Sequence, residues 1–127
     1  MEHELAADSS GKAAVAVVND RLNLGLKIVT RIDQLPCLYQ WQHFQAGQYA
    51  LGVEPSTHHV LGDLAARERA EMIWLEHDMG REYDVALRIL DGREQISAAE
   101  MAIRAVASQP DDDYPPPTGV FAPLGGR

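Results

Sequence analysis

The sequence is poor in several things, and each shortage excludes something. Its 127 residues contain one cysteine, Cys37, so no disulfide can close within the chain, and a reducing compartment is expected. Aromatic residues make up only 6%. Positive charge is scarce: 11 Lys and Arg stand against 19 Asp and Glu, for a formal net charge of -8. Nucleic acids and anionic membranes need a basic surface, so neither is expected as a partner. No apolar run approaches the length of a membrane span. The opening Met1-Glu2-His3-Glu4 lacks the apolar segment of a secretion signal, so a cytoplasmic location is expected. Motifs are missing too. There is no Gly-x-Ser-x-Gly, no Walker sequence, no Gly-x-Gly-x-x-Gly and no Cys-x-x-Cys, and no period marks a solenoid repeat.

What is present fits one globular domain, with 46% hydrophobic and 24% charged residues. The polar start ends in the turn signal Asp8-Ser9-Ser10-Gly11. Ala13–Val18 is apolar at every position and short, which predicts a strand buried on both faces. Residues 26–32 predict a second strand, antiparallel to the first. Residues 37–44 and 49–54, joined by Ala46-Gly47, predict a hairpin. Asp63 opens a short helical stretch. Residues 71–77 and 82–90, around an Asp78–Arg81 turn, read as a further hairpin with Tyr83, Val85, Leu87 and Ile89 facing the core. Trp74 is expected to pack there. Ser97-Ala98-Ala99-Glu100 has the form of a capping box and predicts a helix over about 97–107. The domain is thus expected over residues 1–108. Residues 109–127, rich in Pro and Asp, predict an extended tail. The fold class expected is all-β, mostly antiparallel: a sandwich or part of one, with one C-terminal helix.

The best candidate for chemistry is Glu54. Alternation along Tyr49–Glu54 puts it on one strand face with Gly52 and Ala50, which leaves space beside a carboxylate, and Pro55 should end the strand. The hairpin brings residues 39–43 alongside. There Trp41 reads either as a core tryptophan or as an apolar plate for a sugar ring or a neighbouring group, and Gln40 and Gln42 offer hydrogen bonds. His58 follows in the next loop. No metal site and no cofactor are expected. Among His3, His43, His58, His59 and His77 none has metal-ligand helical spacing, and the adjacent His58 and His59 read as solvated loop residues. Cys37 reads as a small core residue.

Several segments taken in order resemble a known family. They are Leu35-Pro36, Tyr39-Gln40-Trp41 and Tyr49-Ala50-Leu51-Gly52-Val53-Glu54-Pro55, then Gly62-Asp63-Leu64-Ala65-Ala66-Arg67-Glu68 and Arg81-Glu82-Tyr83-Asp84-Val85. Together they are similar to the C-terminal part of DUF4432 proteins, a branch of the aldose 1-epimerase (galactose mutarotase-like) superfamily. The resemblance implies a partial β-supersandwich that binds an aldose in a cleft on one sheet. It implies Glu54 as the general base on the anomeric hydroxyl; Trp41, Gln40, Gln42 and His58, read from their own chemistry, are the expected contributors to the sugar site. The acid histidine of such enzymes lies on earlier strands, and family members are longer, so the chain is expected to be a C-terminal portion. Exposed sheet edges then predict a homo-oligomer, and the alternative to an enzyme is an interaction fragment whose sandwich a partner chain completes.

Overall fold

The structure is a computed structural model and describes residues 2–107. The strands are β1 (Glu2–His3), β2 (Lys12–Asn19), β3 (Leu24–Arg31), β4 (Cys37–Gln45), β5 (Gln48–Ser56) and β6 (Val85–Asp91). The helices are α1 (Asp63–Glu68) and α2 (Arg93–Val106). Two three-stranded antiparallel sheets result, ordered β1-β4-β5 and β2-β3-β6. The predicted tail from Gln109 lies outside the described residues.

Local chemistry sets the ends of these elements. Asp8 Oδ1 accepts hydrogen bonds from the Ser10 and Lys12 backbone N–H groups (2.8 and 3.0 Å) and from the Ser10 hydroxyl (2.7 Å), shaping the turn into β2. Those bonds hold the Asp8 carboxyl below its ordinary range, the Ser10 hydroxyl contributing most. Between β4 and β5 the turn is tight, Gln45 pairing with Gln48, and Gly47 takes the positive φ of 82° that it requires.

The principal core lies under α2. Leu90, Ile96 and Ala99 are buried together, with Ala16 and Val18 packed against them. Helix α2 begins earlier than the capping-box pattern predicts, at Arg93. Gly92 adopts φ 86° and turns the chain directly from β6 into the helix, so Ser97 lies inside it and caps nothing. The two sheets meet along a narrow seam where Leu38 and Pro55 approach Leu5, Ala13, Val15, Ile28 and Thr30. Of these, Ala13, Ile28, Thr30 and Leu38 are buried.

Four sequence expectations are corrected here. Residues 71–77 and 82–84 form no strand, and β6 pairs with β3 instead, Leu26 opposite Ile89 and Ile28 opposite Leu87. Gln34 steers that pairing by accepting the Asp84 backbone N–H (2.7 Å) and donating to its carboxylate (3.3 Å). The polarity of β6 is reversed as well: Leu90 is buried under α2, whereas Leu87 and Ile89 are 66% and 72% exposed, and Tyr83 and Val85 are exposed too. Trp74 is likewise exposed, with the Arg67 guanidinium 5.0 Å from its ring centroid. Strand β2 is covered on both faces only in part. Ala14, Ala16 and Val18 share the face that α2 packs on, and Ala13 lies in the seam, but Val17 is exposed.

Beyond the seam, Val17, Leu26, Val85, Leu87 and Ile89 therefore share one apolar face of the second sheet that no other described residue covers. Phe44, Tyr49 and Leu51 stand exposed on the Leu38 and Pro55 face of the first sheet. The buried core predicts where truncation is costly. Ile96→Ala should lower unfolding free energy by about 2–5 kcal/mol, as for other fully buried large-to-small changes. Urea unfolding followed by circular dichroism measures it, and a loss below about 1 kcal/mol would show that the α2 packing is not the main core.

Candidate functional site

The pairing of β4 with β5 decides which side chains share a face. Tyr39 lies opposite Glu54, Trp41 opposite Gly52 and His43 opposite Ala50. Glu2 of β1 lies opposite Tyr39 on the other side. One face of the first sheet therefore carries Glu2, Cys37, Tyr39, Trp41, His43 and Glu54. Leu38, Gln40 and Gln42 belong to the opposite face, which turns toward the second sheet at the seam.

Glu54 is exposed and makes no hydrogen bond or ion pair among the described residues. Its carboxylate lies back over Gly52: a Cβ at that glycine would stand 2.5 Å from Glu54 Oε1 and 3.4 Å from the Trp41 Cβ. The space beside the small residue is thus occupied by the carboxylate itself, directly next to Trp41. Trp41 is 53% exposed and stacks with His43, their centroids 5.7 Å apart and their planes at 18°. His43 Nε2 in turn contacts Gln48 Oε1 at 3.1 Å. Glu54, Trp41 and His43 thus form an open platform with one carboxylate and one aromatic plate.

Strand β5 continues past Pro55 to Ser56, contrary to expectation. It is the edge strand of its sheet, and at an edge a proline N without hydrogen costs no ladder bond when it faces away from β4. Gln40 is not brought to the platform; its Oε1 lies 3.1 Å from His3 Nε2 on the other face. Gln42 shares that other face.

The two adjacent histidines diverge, and neither is the freely solvated loop residue expected. His58 is half-buried. Its Nδ1 lies 2.9 Å from the Thr57 hydroxyl, and its backbone carbonyl accepts the Ser56 hydroxyl at 2.8 Å. It lines an open groove of about 310 Å³ with Thr57, Met72, Ile73, Leu75, Arg81 and Tyr83. That volume is at the lower end of those that hold small molecules. His59 turns the other way, to Glu2 Oε1 (2.5 Å from Nδ1), the Tyr39 hydroxyl (3.2 Å from Nδ1) and Glu71 Oε1 (3.9 Å from Nε2).

This second cluster escaped sequence reasoning. The Tyr39 hydroxyl accepts the Val60 backbone N–H (3.1 Å), and Glu71 Oε2 accepts the His59 backbone N–H (3.3 Å). Buried Cys37 stands within the group. Burial pushes the Tyr39 phenol up to about 12, and burial together with the Glu2 and Glu71 charges raises the Cys37 thiol. The only available signal was the alternation that set Cys37 and Tyr39 on one face. Strand β1 and the placement of Glu71 could not be read from the sequence.

No helix among the described residues is long and apolar enough to cross a membrane. No curated protein matches the sequence. The fold is similar to that of a crystal structure described as "a putative aldose 1-epimerase" from Klebsiella pneumoniae subsp. pneumoniae, with a TM-score of 0.76 and 24% sequence identity. The match covers 88% of this chain and 29% of that one, so the chain spans under a third of the length of that protein. The partial mutarotase-like sandwich implied by the motifs is therefore the observed fold. The family model for the domain of unknown function DUF4432 matches residues 1–89, which is most of the chain, and the protein belongs to the DUF4432 family.

Proposed function

We propose that the chain supplies the base-bearing wall of an aldose-binding site, with Glu54 as the general base of anomer interconversion. The observation that carries this reading is the Glu54 carboxylate, unpaired among the described residues and held over Gly52 beside the exposed Trp41 ring. An aldose has one apolar ring face, which suits an aromatic plate, and a C1 hydroxyl whose proton must leave before the ring opens. Glu54 would take that proton and return it to the carbonyl oxygen when the ring recloses on the other face. No cofactor takes part in that exchange.

A proton must also reach the ring oxygen as the C1–O5 bond breaks. The donor is assigned to a part of the fold that this chain, spanning 29% of the related structure, does not include. His58, in the groove beyond β5, is assigned to sugar binding, and Gln40 and Gln42 are left out because they belong to the opposite sheet face. The acidic chain and its single cysteine support a cytoplasmic location.

Two substitutions test the site. Polarimetry of freshly dissolved aldoses measures the rate, with the Klebsiella protein as the longer reference. Where that protein carries a glutamate superposing on Glu54, its replacement by Gln should lower mutarotation about 10²–10⁴-fold, the usual contribution of a positioned general base. An unchanged rate would remove Glu54 from the mechanism. Gly52→Ala places a methyl where the carboxylate lies. The glutamate side chain should swing aside, so the aligned change should lower activity while leaving thermal unfolding within a few degrees. Full activity in a folded variant would show that this carboxylate position is not the working one.

The uncovered apolar faces favour a second reading, in which the chain is an interaction fragment whose sandwich is completed by another copy of itself. Val17, Leu26, Val85, Leu87 and Ile89 form a continuous surface of the type that drives association. Size-exclusion chromatography with light scattering should then show a dimer or larger species, and the double change Leu87→Lys, Ile89→Lys should return it to monomer. A stable monomeric wild-type chain would rule this reading out.

A further inference from the structure

We propose that Glu2, Cys37 and His59 form a binding site for a divalent transition-metal ion of zinc type. The three residues come from β1, the start of β4 and the loop after β5, and one donor atom from each lies within 4.8 Å of the other two. This convergence follows from the fold. The β1–β4 register sets Glu2 opposite Tyr39, alternation puts Cys37 on the same face, and the chain leaving β5 folds His59 back over it. The site shares no residue with the Glu54 platform, so the proposal stands or falls independently of the sugar chemistry.

The donor set selects the ion. A thiolate, an imidazole and a carboxylate suit zinc and its neighbours, whereas calcium and magnesium take oxygen alone. In tetrahedral zinc centres with bonds of about 2.0–2.3 Å, donors stand roughly 3.5 Å apart. Side-chain rotations of about 1 Å therefore convert the observed cluster into a ligating one, with the 2.5 Å Glu2–His59 contact opening around the ion. Three protein ligands leave a fourth position for water. Glu71 stands on the far side of the ring, its Oε1 3.9 Å from His59 Nε2 and its Oε2 accepting the His59 backbone N–H, while Nδ1 faces Glu2. Cys37 is 8% exposed while Glu2 and His59 are half-exposed, so an ion enters from the solvent side and meets the thiol at the base of the site. Binding as thiolate releases one proton from Cys37 to solvent, and no electrons move. The bound ion would tie the Thr57–His59 segment, and with it one side of the groove that His58 lines, to β1 and β4.

Cobalt(II) titration of the full 127-residue chain, freed of metal, tests the site, with zinc(II) as competitor. One equivalent should bind, with a near-ultraviolet thiolate-to-cobalt absorption and visible bands of four-coordinate intensity, all displaced by zinc. Cys37→Ser should abolish the thiolate absorption. Glu2→Gln and His59→Gln should each weaken cobalt binding at least about tenfold, by analogy with losses seen around metal sites. His77→Ala should change nothing, since His77 is fully solvated. Glu2→Gln lies on a half-exposed two-residue strand, so it keeps the test valid even if Cys37→Ser does not fold. Binding without the thiolate absorption, or equal affinity in wild type and Glu2→Gln, would overturn the proposal.

Discussion

The register between β4 and β5 is the constraint on which the rest depends. Nine residue pairs, from Cys37 opposite Ser56 to Gln45 opposite Gln48, set the two strands against each other. A slip of β5 by one residue would turn Glu54 away from the face that carries Trp41 and would take Pro55 out of the seam beside Leu38. The tight turn at Gly47 and the apolar demand of the seam both enforce the observed register. The chemistry on the outer face and the packing on the inner face are two consequences of one alignment.

The outer face then divides into two regions with different character. Along its middle, Trp41 and Glu54 stand exposed with His43 half-buried beside them, and small residues at Gly52 and Ala50 keep the surface low. Near the strand ends, Cys37, Tyr39 and His59 are drawn together with Glu2 and Glu71. The first arrangement suits a ligand that comes and goes. The second has its polar groups largely satisfied by one another, and it anchors the loop that leaves β5.

Much of this was legible in the sequence, and the failures have physical causes. The β2–β3 and β4–β5 pairs were readable because short loops join strands with alternating or β-branched residues. The hairpin put residues 39–43 beside the Glu54 strand, and the register then set Trp41 and Glu54 on one face. The segment after α1 was misread because Met72-Ile73-Trp74-Leu75 looks like a strand, yet an apolar run becomes a strand only when it pairs with an edge, and this one pairs with none among the described residues. The same lack of cover explains β6. Val85, Leu87 and Ile89 alternate as core residues do, while among the described residues a helix covers only the other face. Gln40 and Gln42 were named for their chemistry although alternation already separated them from Trp41. The Cys37–His59 cluster was invisible because its members are distant in sequence and Glu2 belongs to a strand of only two residues.

The pairing of β6 with β3 has a kinetic consequence. Both hairpins close across turns of a few residues, but β6 reaches β3 only after the chain has traversed β4, β5 and α1. That closure carries the largest entropic cost in the domain, and it must come before α2 can cover Leu90 and Ala16. The unit β6–α2 is therefore expected to join last and to detach first, while the β4–β5 platform keeps its register throughout. Earlier amide exchange in β6 than in β4 would display that order.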